Sequence, residues 1–190
     1  MLTEKEKDSF KSKGQPMEIK LKVPKRENRD ALKNLCNAVD RSYLSDRLPD
    51  PYTDASADWW INMVTENEEK AGLWRLIEVD GEIVGNISVE KGEGMSRRDA
   101  NIGYILLTPY WGKGIMTWAA AEICRLAFEK LDIVRITGVY YEPNRASGRV
   151  LEKVGFQPEG KKINAVTKGD ATYNLCMLGL LKEQPSRHLF

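Results

Sequence analysis

The stretch Thr108-Pro-Tyr-Trp-Gly-Lys-Gly-Ile-Met-Thr-Trp-Ala-Ala-Ala121 constrains this chain more than any other. An apolar run, Ile102 to Leu107, comes before it and predicts a strand, and a long helical pattern, Ile115 to Leu131, follows it. Between them Gly112, Lys113 and Gly114 predict a tight strand-to-helix turn. Glycine has no Cβ, so a bulky anion can approach the backbone there. The unpaired N–H groups at the start of the helix then point at that anion, and the helix dipole favours it. This is the arrangement a pyrophosphate needs, although G-x-G before a helix also serves plain close packing.

Two familiar phosphate loops fit poorly. In a P-loop the lysine precedes Ser or Thr, whereas Lys113 precedes Gly114, and the upstream glycine spacing is absent. In a dinucleotide fingerprint the third glycine is required, and Thr117 stands there. Glu142 is a candidate for the ribose-binding acid, but it lies about ten residues beyond the usual spacing of about twenty.

The segments after the turn narrow the choice. Ile133 to Tyr140 is β-rich and predicts a strand. Glu142 to Phe156 then predicts a short helix opened by Pro143 or Asn144 and closed by Gly155. The order is Ala100-Asn-Ile-Gly-Tyr104, Tyr110-Trp-Gly-Lys-Gly114, Asn144-x-x-Ser147 and Leu151-Glu-Lys-x-Gly-Phe156. In this order the chain resembles the GNAT superfamily of acetyl-CoA-dependent N-acetyltransferases, and within it the RimJ/RimL group. The close likeness covers about residues 99 to 160, with a looser one from Met17 to Leu181. It implies an α/β (α+β) fold, with a mixed, mostly antiparallel sheet of about seven strands flanked by about four helices.

Periodicity along the chain agrees with such a plan. Strands are expected at Met17–Val23, Leu73–Val79, Glu82–Val89, Ala100–Leu107, Ile133–Tyr140, Lys161–Val166 and Thr172–Leu181, with Asp80-Gly81 as a hairpin turn. Helices are expected over Asn28–Tyr43 and from a cap at Asp54 or Ser56 to about Lys70. Residues 1–16 read as a mobile leader, 17–182 as one acetyltransferase domain and 183–190 as a polar tail. A net charge of +1 offers no field for nucleic acid, and no apolar run nears the roughly twenty residues that cross a bilayer. The N-terminus has no apolar signal core, so a cytoplasmic protein, monomer or homodimer, is expected. Cys36, Cys124 and Cys176 are too scattered for a disulfide framework or a zinc site, and the single histidine, His188, leaves neither a catalytic triad nor a histidine metal site.

The resemblance assigns roles. The backbone of Ile105, Leu106 and Leu107 pairs with the pantetheine arm, and a main-chain N–H there, at Leu107, serves the oxyanion. Trp111, Gly112, Lys113, Gly114, Ile115 and Met116 hold the pyrophosphate of acetyl-CoA, a cosubstrate, with no metal involved. Relatives often begin this loop with Gln or Arg and end it with Gly or Ala, so here side-chain help at Trp111 and Met116 is replaced by backbone binding. Asn144 bonds the pantetheine arm, and Ser147 gives a proton to the leaving thiolate, with Tyr141 and Tyr173 as rival donors. Asn101 stands where many relatives have a glutamate base, so Glu90 is the substitute, acting through water. That asparagine also motivates a non-catalytic acyl-CoA sensor as the alternative. The amine enters between residues 43–52 and 163–173, where Asp46, Asp50 and Asp54 attract a cation and Trp59 or Trp60 borders the groove. An α-amine, about a tenth neutral at pH 7, needs less help than a lysine amine. A protein or peptide N-terminus is therefore the favoured acceptor, with a small amine as the other choice.

Overall fold

A computed structural model describes residues 17–182. The leader 1–16, the tail 183–190 and His188 lie outside the described residues. The elements, in order, are β1 (Ile19–Lys22), α1 (Arg29–Ala38), α2 (Asp54–Asn67), β2 (Gly72–Val79), β3 (Glu82–Lys91), β4 (Asp99–Leu106), α3 (Ile115–Lys130), β5 (Arg135–Tyr141), α4 (Arg145–Val154), β6 (Gln157–Lys168) and β7 (Ala171–Leu181). The strands form one seven-stranded sheet in the order β1-β2-β3-β4-β5-β7-β6. Every pair is antiparallel except β4 with β5. This is the mixed, mostly antiparallel sheet with four helices that the resemblance implies.

Alternation along the strands builds a core on each face. Ala100, Ile102 and Leu106 point with Leu73, Ile77, Ile87 and Val89 at the apolar side of α3, where Ile115, Ala119, Ile123 and Ala127 are fully buried. Leu76, Ile83 and Ile105 point the other way, toward Leu32 and Cys36 of α1 and Ala57 and Ile61 of α2. With helices on both sides, β2 is buried along its whole length.

Helix ends differ from the periodicity, for local reasons. The apolar spacing extends to Tyr43, yet α1 stops at Ala38, and Val39 turns extended with its side chain buried. The freed carbonyl of Cys36 accepts from Arg41 Nη2 at 3.1 Å, and Asp40 Oδ1 accepts the Ser42 N–H at 2.7 Å. The cap of α2 is Thr53, not Asp54 or Ser56: its Oγ1 accepts the Ser56 N–H at 3.2 Å. Asp54 is instead the first helical residue and pairs with Lys33 at 2.6 Å. Asn144 and Gly155 bound α4 as the sequence predicts, the asparagine accepting the Ser147 N–H and the glycine at φ 108°.

One glycine holds the strand that carries the site. Gly85 of β3 lies where the β2–β3 register shifts after Ile77, and a Cβ there would stand 2.5 Å from the Ile105 carbonyl oxygen. Gly85→Ala is therefore expected to force β3 and β4 apart and destabilise the fold by about 1–3 kcal/mol, read as a lower urea midpoint. An unchanged midpoint would mean that the strands yield without cost.

Candidate active site

The Gly112–Gly114 turn is open and left-handed. Gly112 has φ 73° and Gly114 φ 78°, and a Cβ on Gly112 would meet nothing within 4 Å. Gly114 is the N-cap of α3 and offers no side chain to cap it; its carbonyl starts the helix by accepting the Trp118 N–H at 3.0 Å. The N–H groups of Ile115, Met116 and Thr117 thus lack helical partners. Among the described residues, no acceptor is found for those of Gly112, Lys113 or Gly114 either. A run of free amides at a helix start, with open space above a glycine, fits a pyrophosphate. The Lys113 ammonium lies 5.2 Å over the Tyr110 ring, whose hydroxyl donates to Glu82 Oε2 at 3.0 Å. Ile115 and Met116 bury their side chains, so only their backbone is left for a ligand.

The strand leading to this turn parts from its neighbour. β4 and β5 pair only from Asp99–Arg135 to Ile102–Gly138, after which they diverge. In the antiparallel ladder with β3, the Leu107 N–H donates to the Val84 carbonyl at 2.9 Å. The expectation for Leu107 is therefore corrected, because its amide is already used. Ladder bonds alternate along a strand, so Ile105 also turns its backbone to β3, while Leu106 and Tyr104 turn theirs into the gap that β5 leaves. Of the three residues expected to pair with a ligand arm, Leu106 is the one so directed. Its carbonyl accepts from Trp111 Nε1 at 2.8 Å, which ties the anion-binding turn to the end of β4.

Across the gap stands α4. Ser147 Oγ lies 2.8 Å from the Tyr104 hydroxyl, which also reaches the Ser147 carbonyl at 3.2 Å. Burial pushes the Tyr104 hydroxyl up to about 12, so it stays protonated at neutral pH. Asn144 Oδ1 accepts the Ser147 N–H at 3.2 Å, so the asparagine caps the helix and its amide NH₂ remains to donate elsewhere.

On the face toward α1 and α2, Glu90 of β3 lies opposite Asn101 of β4. Its Oε1 accepts from Ser88 Oγ at 2.8 Å and from Trp74 Nε1 at 3.2 Å, which fixes the carboxylate and leaves Oε2 without a partner among the described residues. Asp99, on the same face, is engaged by Thr137 Oγ1 at 3.0 Å and by Arg135 at 3.4 Å. Tyr141 and Tyr173 stack with ring centroids 6.1 Å apart, and Tyr43 meets both edge-on at 6.4 Å. The hairpin bearing Tyr173 is braced by Glu142, which accepts from Lys161 through one oxygen and from Asn174 Nδ2 at 2.6 Å through the other. With both oxygens engaged, Glu142 does not suit a ribose, which removes the dinucleotide reading. Trp60 packs into the core beneath α2, whereas Trp59 is 67% exposed.

The acetyltransferase (GNAT) domain family matches residues 19–157. The chain belongs to the GNAT acetyltransferase family. It is 32% identical over 127 residues, 67% of each chain, to YdaF of Bacillus subtilis (strain 168), which carries the provisional name ribosomal N-acetyltransferase. It is 38% identical over 106 residues to YjcK of the same organism, also provisionally named an N-acetyltransferase, covering 53% of this chain and 59% of that one. Among solved structures, the fold matches RimL, the ribosomal L7/L12 α-N-protein acetyltransferase in complex with coenzyme A. That match has TM-score 0.75 and 19% identity, over 86% of this chain and 93% of that one. RimJ of Mycobacterium smegmatis in complex with CoA-disulfide matches with TM-score 0.74 and 23% identity, over 86% of this chain and 81% of that one.

The activity of this GNAT chain is acetyl-CoA-dependent N-acetylation, and acetyl-CoA is its cosubstrate. Among the described residues no cluster of His, Cys, Asp and Glu could hold a metal, and no helix is long and apolar enough to cross a membrane. Two features of the GNAT site escape a reading of the sequence. Tyr104 was legible only as part of a motif, and nothing in its spacing from Ser147 predicts their contact. The Trp111 tether was hidden because an indole in a glycine turn reads equally as packing.

Proposed function

We propose that this GNAT enzyme acetylates the N-terminal α-amine of a protein or peptide by direct attack of the amine in a ternary complex. The observation that carries this reading is the continuity between the divergent end of β4, with the Leu106 N–H turned into the gap, and the free amides of residues 112–117. Bound acetyl-CoA supplies an acyl group activated as a thioester. The amides of residues 112–117 bind its pyrophosphate, and Asn144 Nδ2 donates to the pantetheine arm. The Leu106 N–H donates to the carbonyl oxygen on which negative charge develops as the amine's lone pair attacks. Ser147 Oγ gives its proton to the departing sulfur, the Tyr104 hydroxyl at 2.8 Å donates to the serine oxygen as charge forms there, and water returns the proton to the serine.

A covalent acyl-enzyme is not required. Burial pushes the Cys36 and Cys124 thiols up to about 12, and the hydroxyl beside Ser147 is a phenol rather than a base. All three cysteines are free thiols, which supports a reducing, cytoplasmic setting.

Glu90 lies about 17 Å along the sheet from the Leu106 end, at roughly 3.3 Å per residue, so it takes the amine's proton through a chain of waters. Glu90→Gln is expected to lower kcat/KM about tenfold for a lysine-type amine and less for an α-amine, since the α-amine is more often neutral. Equal, negligible effects on both would remove Glu90 from the reaction.

A non-catalytic acyl-CoA sensor is the second reading, favoured by Asn101, which cannot accept a proton at neutral pH. Titration calorimetry with acetyl-CoA and a thiol-release assay across peptides and small amines separate the two. Micromolar binding with turnover supports the enzyme, and binding with no turnover on any amine supports the sensor.

A further inference from the structure

The ring cluster Tyr43, Tyr141 and Tyr173 is assembled from three distant parts of the chain: the loop between α1 and α2, the end of β5 and the start of β7. None of the three rings is fully buried, and none of their hydroxyls has a hydrogen-bond partner among the described residues. Its position is set by the parallel register. Ile102 pairs with Gly138, so Tyr141 stands level with Ile105, across the gap into which Leu106 turns its amide. The cluster therefore borders the place where an acceptor must come, on the face away from α3.

Of the charges beside it, one carboxylate stands without an ion-pair partner among the described residues. Three aspartates of this region are expected to attract a cation, but two are already paired: Asp54 with Lys33 at 2.6 Å and Asp50 with Arg41 at 3.7 Å. Asp40 accepts the Ser42 N–H. The nearby cations, Arg41 and Lys168, line the same pocket as Asp46 and keep their charge while donating to neutral backbone carbonyls. Arg41 donates to Cys36, Leu48 and Pro49, and Lys168 donates to Arg41 and Leu44. Asp46 has no ion-pair partner among the described residues, not even the adjacent Arg47, and it lines a pocket of about 340 Å³ in this loop. It is close enough to Tyr141 that its charge adds to burial in raising that hydroxyl's pKa.

Aromatic faces attract a cation through their quadrupole, phenol oxygens accept its hydrogen bonds, and a free carboxylate balances its charge. We infer that Tyr43, Tyr141, Tyr173 and Asp46 form the specificity site of this enzyme, and that they select an acceptor peptide carrying a lysine or arginine within its first two residues. This rests on the peptide N-terminus reading above and gives it a sequence preference.

The test is a set of matched peptides with a free N-terminal alanine and Arg, Lys, Ala, Phe or Glu in second place. Each is assayed by thiol release at saturating acetyl-CoA with the full chain. The wild type is expected to show kcat/KM for the Arg and Lys peptides about tenfold above the Ala peptide, with the Glu peptide lowest. Asp46→Asn and Tyr43→Ala should each reduce that advantage to about twofold, with acetyl-CoA Kd measured by calorimetry as the check that each variant is folded. Peptides acetylated at rates independent of charge, or best with Phe, would overturn the cation preference and leave the acetyltransferase reading standing. Acetyl-CoA binding with no acetylation of any peptide would sink both.

Discussion

Replacing Gly112 by valine is expected to raise the Kd for acetyl-CoA about 100-fold while the chain still folds. The turn residue has φ 73°, and there is open space where a Cβ would stand, so the protein itself offers no clash. The cost to folding is that of holding a β-branched residue in the left-handed region, about 1–2 kcal/mol. The cost to binding is larger. The amides from Gly112 to Thr117 are free because no side chain or carbonyl competes for them, and the space over Gly112 lets a bulky anion reach them. A valine side chain would occupy that space. A hydrogen bond to a charged group contributes about 1.5–3 kcal/mol, so separating the anion from one or two amides accounts for the factor. Titration calorimetry measures it, and thermal denaturation of the same sample monitors the fold. If the variant binds acetyl-CoA as tightly as the wild type, the pyrophosphate is held elsewhere and the site is misassigned.

Ser147→Ala should lower kcat about 100-fold while leaving the acetyl-CoA Kd within about twofold. In the proposed mechanism the serine acts only as the thiolate departs, so its loss should fall on the transition state rather than on binding. Tyr104→Phe should lower kcat about tenfold, because the phenol acts on the serine at 2.8 Å rather than on the sulfur. The pH profile distinguishes the two hydroxyls from a simple acid. With the Tyr104 pKa pushed to about 12 by burial, neither variant should remove an ionisation between pH 6 and 10. The rise in rate across that range should follow the amine acceptor's own deprotonation. A loss confined to KM in Ser147→Ala, or a kcat unchanged within twofold, would remove the serine from the chemistry and leave it as a helix residue. In that case Tyr141 and Tyr173 return as proton donors, since their hydroxyls have no partner among the described residues.

The tethered indole of Trp111 suggests why a turn without the side-chain donors common in relatives can still bind. The bond from Nε1 to the Leu106 carbonyl joins the turn to the end of β4. On the proposed binding mode, that bond holds the pyrophosphate turn and the gap beside β4 in a fixed relation without a charged side chain.

The features that the chain determines by itself are local ones. Two glycines around Lys113 compel a left-handed turn at a helix start, because only glycine takes those angles without strain. An asparagine and a glycine bound α4, and apolar patterning marks most of the strands, though not the exposed β6, because caps and periodicity depend on neighbours a few residues away. What the tertiary structure alone decides depends on partners distant in sequence. Pairing with Val84 uses the Leu107 amide and turns that of Leu106 into the gap; shifting the register by one residue would exchange the two. The contact of Tyr104 with Ser147, 43 residues apart, arises from the crossing of α4 over β4. Asp50 and Asp54 form ion pairs with Arg41 and Lys33, and Asp46 forms none among the described residues, although the three lie close in sequence. Spacing along a chain specifies which way a side chain leaves its own backbone, and only packing specifies what it meets there.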